Sequence, residues 1–145
     1  MTAEPGYLLI VEDDADILEL LEMTLRIQDY RVVTAQNGRE ALEIIRGEPP
    51  ILVIADIMMP HLDGYGLVHR LKIDPATRRI PVVFITATYI APEDREFALK
   101  IGVARIIQKP INFAVFLETV REFLAREPRA DDSPFDEVAY YHEYR

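Results

Sequence analysis

Three short runs of the chain are continuously apolar: residues 7–11 (YLLIV), 51–55 (ILVIA) and 81–85 (PVVFI). Each stops abruptly at a polar group, the first at Glu12-Asp13-Asp14, the second at Asp56 and the third at Thr86. Runs that are apolar on both faces suit strands of a parallel sheet, which helices cover on each side. Two weaker runs, 31–35 (RVVTA) and 105–108 (RIIQ), fit two further strands. Between the runs, apolar residues recur at the three- and four-residue intervals of a helix. Ile17, Leu18, Leu21, Thr24 and Leu25 mark the first helix. Ala41, Leu42, Ile44 and Ile45 mark the second, which follows an Asn37-Gly38 turn and closes at Gly47 with Pro49-Pro50. Leu67, Val68 and Leu71 predict the third. Residues 92–101 form the fourth, with Pro92 suited to its first turn and Gly102 to its stop. Phe113, Phe116, Leu117, Val120 and Leu124 make the stripe of the fifth.

Strand and helix thus alternate five times, which predicts βαβ units, right-handed crossovers and a doubly wound parallel sheet. At 145 residues the chain is long enough for one such domain. Its formal net charge of −9 disfavours broad electrostatic attraction to nucleic acid or anionic lipid, so neither is expected as a direct partner. With no cysteine, thiol nucleophiles, disulfides and Cys-based zinc sites are excluded. No apolar run approaches the roughly 18 residues of a membrane span, and the MTAEPG start lacks the regions of a signal peptide. The expectation is a cytoplasmic protein without membrane contact. From residue 127 to residue 145 the character changes, with six acids against two basic residues and the aromatics Phe135, Tyr140, Tyr141 and Tyr144. We therefore expect a domain at 1–126 and an acidic, aromatic-containing tail or linker at 127–145. Because the tail tyrosines have acidic neighbours, a packing or helical-linker role is expected rather than nucleic-acid stacking.

Ligands of doubly wound sheets bind beyond the carboxyl ends of the strands. Glu12 and Asp13 leave the first strand at that edge and Asp56 leaves the third. If the two strands are neighbours, three carboxylates converge and repel unless a cation sits among them. A hard divalent ion with oxygen ligands is the remedy, and Mg2+ suits a site of few carboxylates. Asp14 is better explained as a helix cap. Thr86 reaches the same edge with a hydroxyl donor, and Lys109, one of three lysines in the chain, reaches it with an ammonium. A carboxylate beside a metal, a hydroxyl and an ammonium can accept a phosphoryl group. Asp56 stands alone at its strand end and is the expected nucleophile, while Glu12 and Asp13 are suited to holding the ion.

The segments LLIVEDDADILELL, ILVIADIMMPHLDGYGL, PVVFITA and IIQKPI resemble, in order and spacing, the signature blocks of the response-regulator receiver domain of two-component signalling. The resemblance implies a flavodoxin-like fold with five helices and strand order 2-1-3-4-5. It implies that Asp56 accepts a phosphoryl group from a histidine of a sensor kinase or phosphotransfer protein. It also implies Mg2+ held by Glu12, Asp13, Asp56 and the backbone carbonyl of Met58, with Thr86 and Lys109 on phosphoryl oxygens. The Lys109-Pro110 bond resembles one that is cis in the family. Asp63-Gly64 fits the turn after the third strand, with the glycine at positive φ. Such a domain is a phospho-acceptor rather than an enzyme acting on a separate substrate. Its expected output is a change in the face made by the fourth helix, fifth strand and fifth helix, which meets a downstream protein, a fused output domain or a second copy. Ile106 stands where the family carries a switch aromatic, and Met58 and Thr88 occupy positions that tune dephosphorylation.

Other chemistries fit less well. A magnesium-dependent phosphohydrolase would normally place D-x-D at the first strand, and a dinucleotide-binding domain would place G-x-G-x-x-G there. A degenerate receiver would lack part of the acid, Thr86 and Lys109 set. His61, His69 and His142 are not spaced as metal ligands and are expected at the surface. Met58-Met59 is expected as loop and partial core. Nineteen residues after Arg126 are too few for a DNA-binding output, and the helical spacing of FDEVAYYHEYR favours continuation into a helical linker.

Overall fold

The computed structural model describes residues 6–86 and 90–125. Strands β1 (Leu8–Val11), β2 (Val32–Ala35), β3 (Leu52–Asp56), β4 (Val82–Thr86) and β5 (Arg105–Gln108) alternate with helices α1 (Ala15–Ile27), α2 (Gly38–Gly47), α3 (Gly64–Ile73), α4 (Pro92–Lys100) and α5 (Phe113–Ala125). The strands pair in parallel in the order β2-β1-β3-β4-β5, the flavodoxin-like order expected. Thr88, His142 and the tail at 127–145 lie outside the described residues.

The continuously apolar strands feed two cores by simple alternation, because successive side chains point to opposite faces. Leu9, Val11, Val53, Ala55, Val82 and Phe84 enter one core, closed by α2, α3 and α4. Leu8, Ile10, Leu52, Ile54, Val83 and Ile85 enter the other, closed by α1 and α5. The helices start where short polar side chains accept their first amide hydrogens. Asp14 caps α1 through Asp16 N–H (3.0 Å) and Ile17 N–H (3.2 Å), as expected of it. Asn37 caps α2 through Glu40 N–H at 2.8 Å, and Asp63 caps α3 through Gly66 N–H at 2.9 Å. Gly102, at φ 102°, supplies the left-handed stop after α4.

Two expectations are corrected. The positive φ after β3 belongs to His61 (52°) and Leu62 (89°), not to Gly64. Gly64 is required by space instead, since a Cβ there would lie 2.9 Å from both the Asp56 carbonyl oxygen and Ile57 Cα. His69 is buried rather than at the surface, because α3 is enclosed well beyond the single stripe of Leu67, Val68 and Leu71. Lys72 is enclosed with it and donates from Nζ to the Arg78 carbonyl at 2.9 Å. His61 is exposed as expected, and Met58 is exposed while Met59 joins the core.

The two sides of α1 should separate cleanly in a stability measurement. Leu21 is fully buried and Leu20 is 49% exposed. We expect Leu21→Ala to lower the free energy of urea unfolding by about 2–5 kcal/mol, and Leu20→Ala by roughly 0.5 kcal/mol or less. Comparable losses would contradict this orientation of the helix.

Candidate functional site

The ends of β1, β3, β4 and β5 meet at one edge of the sheet. Val11 pairs with Ala55, so the next residues of β1 and β3 emerge side by side. Glu12 prolongs the ladder by donating its N–H to the Ala35 carbonyl at 3.0 Å, which fixes its direction before the chain turns into α1. Asp56 is the last residue of β3. Thr86 is the last residue of β4, and its carbonyl accepts from Lys109 N–H at 2.8 Å. That bond carries β5 one step further and delivers the Lys109 side chain to the acids.

Carboxylate oxygens of Glu12, Asp13 and Asp56 all lie within 4.8 Å of one another. Lys109 Nζ sits 3.1 Å from Glu12 Oε1 and 3.3 Å from Asp56 Oδ2. The other Glu12 oxygen accepts Asp14 N–H at 3.1 Å, and Asp56 Oδ1 accepts Met58 N–H at 3.3 Å. Glu12 is 1% exposed, Asp56 and Thr86 are buried, and Asp13 faces solvent. The Met58 side chain is also exposed, at 73%. The Lys109-Pro110 bond is cis.

Burial, reinforced by the neighbouring Asp56 charge, pushes the Glu12 carboxyl up to about 7, against the opposing pull of Asp14 N–H and Lys109. Burial acts on the Lys109 ammonium in the other direction. There it is outweighed by the attraction of the Glu12 and Asp56 carboxylates, and the lysine's pKa is raised. The site is therefore short of positive charge, with three carboxylates facing one ammonium. Glu12 Oε1 is buried and its contact with Lys109 lacks hydrogen-bond geometry, so a lone pair is left unclaimed inside the cluster. A hard cation with oxygen ligands fits this donor set.

Every candidate residue thus reaches the same edge: Glu12, Asp13, Asp56, Met58, Thr86 and Lys109. Two features were not visible in the sequence. One is that Lys109 spans Glu12 and Asp56 together. The other is that the loop after β3 is held by α2, through Gly38 N–H to the Leu62 carbonyl and Arg39 N–H to the His61 carbonyl, both at 3.1 Å.

A family model described as the response regulator receiver domain matches residues 8–121. The chain is 40% identical over 126 residues to the protein named "Probable transcriptional regulator ycf27" of Porphyra purpurea, covering 87% of this chain and 50% of that one. It is 35% identical over 132 residues to "Response regulator Rre1" of Synechocystis, covering 90% and 57%. The chain therefore spans about half the length of these relatives. Among solved structures, the signal receiver domain of a signal transduction histidine kinase from Syntrophus aciditrophicus superposes with a TM-score of 0.78 at 34% identity. That match covers 88% of this chain and 96% of the other.

The raised Glu12 carboxyl has a signed consequence in metal-free protein. An acid whose folded pKa is about 7 against an ordinary 4.5 lends stability below the lower value and loses it as the pH rises through the higher one. The cost of ionising it is at most about 3 kcal/mol. Between pH 5 and pH 8, in chelator, urea unfolding should therefore show Glu12→Gln gaining stability relative to the wild type. A difference that stays constant across this range would refute the assignment.

Proposed function

Because this chain belongs to the response regulator receiver domain family, a family of signalling domains in two-component systems, we propose that it accepts a phosphoryl group on Asp56 and passes the change to a partner protein. The observation that carries this is the position of Asp56, buried, contacted by Lys109 at 3.3 Å and beside the Glu12 and Asp13 carboxylates. The donor is a phosphohistidine of a sensor kinase or phosphotransfer protein. Its P–N bond breaks as an Asp56 oxygen forms the new P–O bond, leaving the histidine neutral after it regains a proton. Glu12, Asp13, Asp56 and the Met58 carbonyl would hold Mg2+, which supplies positive charge to phosphoryl oxygens when bound.

The protein's own side chains do the rest. Lys109 holds Asp56 in place before transfer and is positioned to neutralise phosphoryl charge afterwards. Thr86, at the end of the adjacent strand, offers its hydroxyl to a phosphoryl oxygen. Reorganisation there would reach the α4–β5–α5 face, where Leu99 and Val115 are exposed and Arg105 pairs with Glu122 at 2.5 Å. That face is the proposed contact for a downstream protein, a fused output domain or a second copy. We place the functional unit at residues 1–126 and its setting in the cytoplasm. The latter accords with there being no helix among the described residues that is long and apolar enough to cross a membrane.

Intact-mass measurement after incubation with acetyl phosphate tests the proposal. We expect a gain of one phosphoryl group that needs Mg2+ and is absent from Asp56→Asn. A gain that persists in Asp56→Asn would assign the chemistry to another residue. No gain in a wild type that binds Mg2+ would count against phospho-acceptance.

A further inference from the structure

We propose that the N-terminus of α2 is a positioning element for the metal and phosphoryl site, acting by holding the loop that joins β3 to α3. The inference rests on the proposed Mg2+ site, to which that loop contributes the Met58 carbonyl. Both ends of the loop are tied locally, by Met58 N–H on Asp56 Oδ1 at 3.3 Å and by Gly64 N–H on the Ile57 carbonyl at 2.8 Å. Its middle is different. His61 and Leu62 are consecutive non-glycine residues at φ 52° and 89°, in the left-handed region that L side chains disfavour. Such a pair persists only where its surroundings impose it.

What imposes it is α2. The first amides of a helix have no partner within the helix. Here the Gly38 and Arg39 amides donate to the Leu62 and His61 carbonyls, each at 3.1 Å, while Asn37 caps the Glu40 amide. The left-handed turn aims both carbonyls at the positive end of the helix dipole. Gly38 makes the approach possible, because a Cβ at that position would stand 2.3 Å from the Leu62 oxygen, a backbone atom with no rotamer to escape into. Gly66 makes room on the other side, where a Cβ would stand 2.5 Å from Leu62 Cδ1. Gly47, at the far end of α2, has nothing within 4 Å of the equivalent point. A side chain at 38 would push the Leu62 carbonyl off the helix, release the His61-Leu62 pair and let the Met58 carbonyl drift relative to Asp56.

The test uses the full chain as wild type, Gly38→Ala, Asn37→Ala and Gly47→Ala. Mg2+ affinity is read by calorimetry well below each unfolding midpoint, and amide exchange is followed through residues 58–64. We expect Gly38→Ala to weaken Mg2+ binding about tenfold, as the loss of support behind a metal ligand does, with faster exchange in the loop. Asn37→Ala, which loosens the first turn of α2 without adding atoms, should do the same to a smaller degree, and Gly47→Ala should do neither. A purely structural role would lower the Gly38→Ala midpoint yet leave the affinity of the folded protein unchanged, and that result would overturn the proposal. If Gly38→Ala does not fold, unchanged affinity and loop exchange in Asn37→Ala would overturn it equally. A wild type that takes up no Mg2+ would overturn the underlying metal site instead, and is distinguishable because it fails before any variant is compared.

Discussion

Three carboxylates are forced together at the end of a buried sheet, and much of the surrounding structure answers that repulsion. Within 4.8 Å of one another, each pair of ionised groups repels by about 3–4 kcal/mol at an effective dielectric of about 20. Lys109, at 3.1 Å from Glu12 and 3.3 Å from Asp56, offsets two such pairs at most. Three negative charges against one positive leave the cluster two charges short. The protein responds in part through the buried Glu12 carboxyl, which burial and the neighbouring Asp56 charge push up to about 7. A divalent cation would therefore meet a site already poised for it by charge.

Such a cluster survives because the fold that creates it is stabilised elsewhere. The strands are four or five residues long, and alternate side chains enter different cores. Those cores place the strand ends with the precision of close packing. Burial of Leu9 and Val11 on one side and Leu8 and Ile10 on the other holds β1 against β3, so Glu12 and Asp56 cannot separate to relieve their repulsion. Asp14, one residue beyond the metal candidates, is committed to capping α1 and turns the chain away before a fourth carboxylate joins the group.

Most of this was legible in the sequence because it depends on period and abrupt endings. Unbroken apolar runs ending in Glu12, Asp56 and Thr86 identify central parallel strands and the edge at which their polar ends gather. What escaped was set by packing between segments distant in the chain. Nothing local marks His69 and Lys72 as enclosed, since helical spacing displays one apolar stripe and α3 is covered beyond it. The Asp63-Gly64 pair reads as a turn with a flexible glycine. The strained residues are instead His61 and Leu62, whose backbone conformation is secured by a helix more than twenty positions earlier.

Ile106, on β5, sits beside Phe84 of β4 in the sheet. It is half-buried against the core beneath α2, α3 and α4, the core that also holds Phe84 and Phe97. Tyr65 stands edge-on to Phe84 at 5.6 Å and tilted against Phe97 at 5.2 Å, joining the start of α3 to β4 and α4. Burial, with Asp94 and Asp63 nearby, pushes its hydroxyl up to about 12, so the ring stays neutral and can remain in apolar contact at any ordinary pH. The aromatic mass between β3 and α4 is thus carried by residues 65, 84 and 97 rather than by position 106. Phe84 lies two residues before Thr86 on β4 and is the register partner of Ile106 on β5, so the same side chain links that strand end to the Tyr65 ring and to position 106.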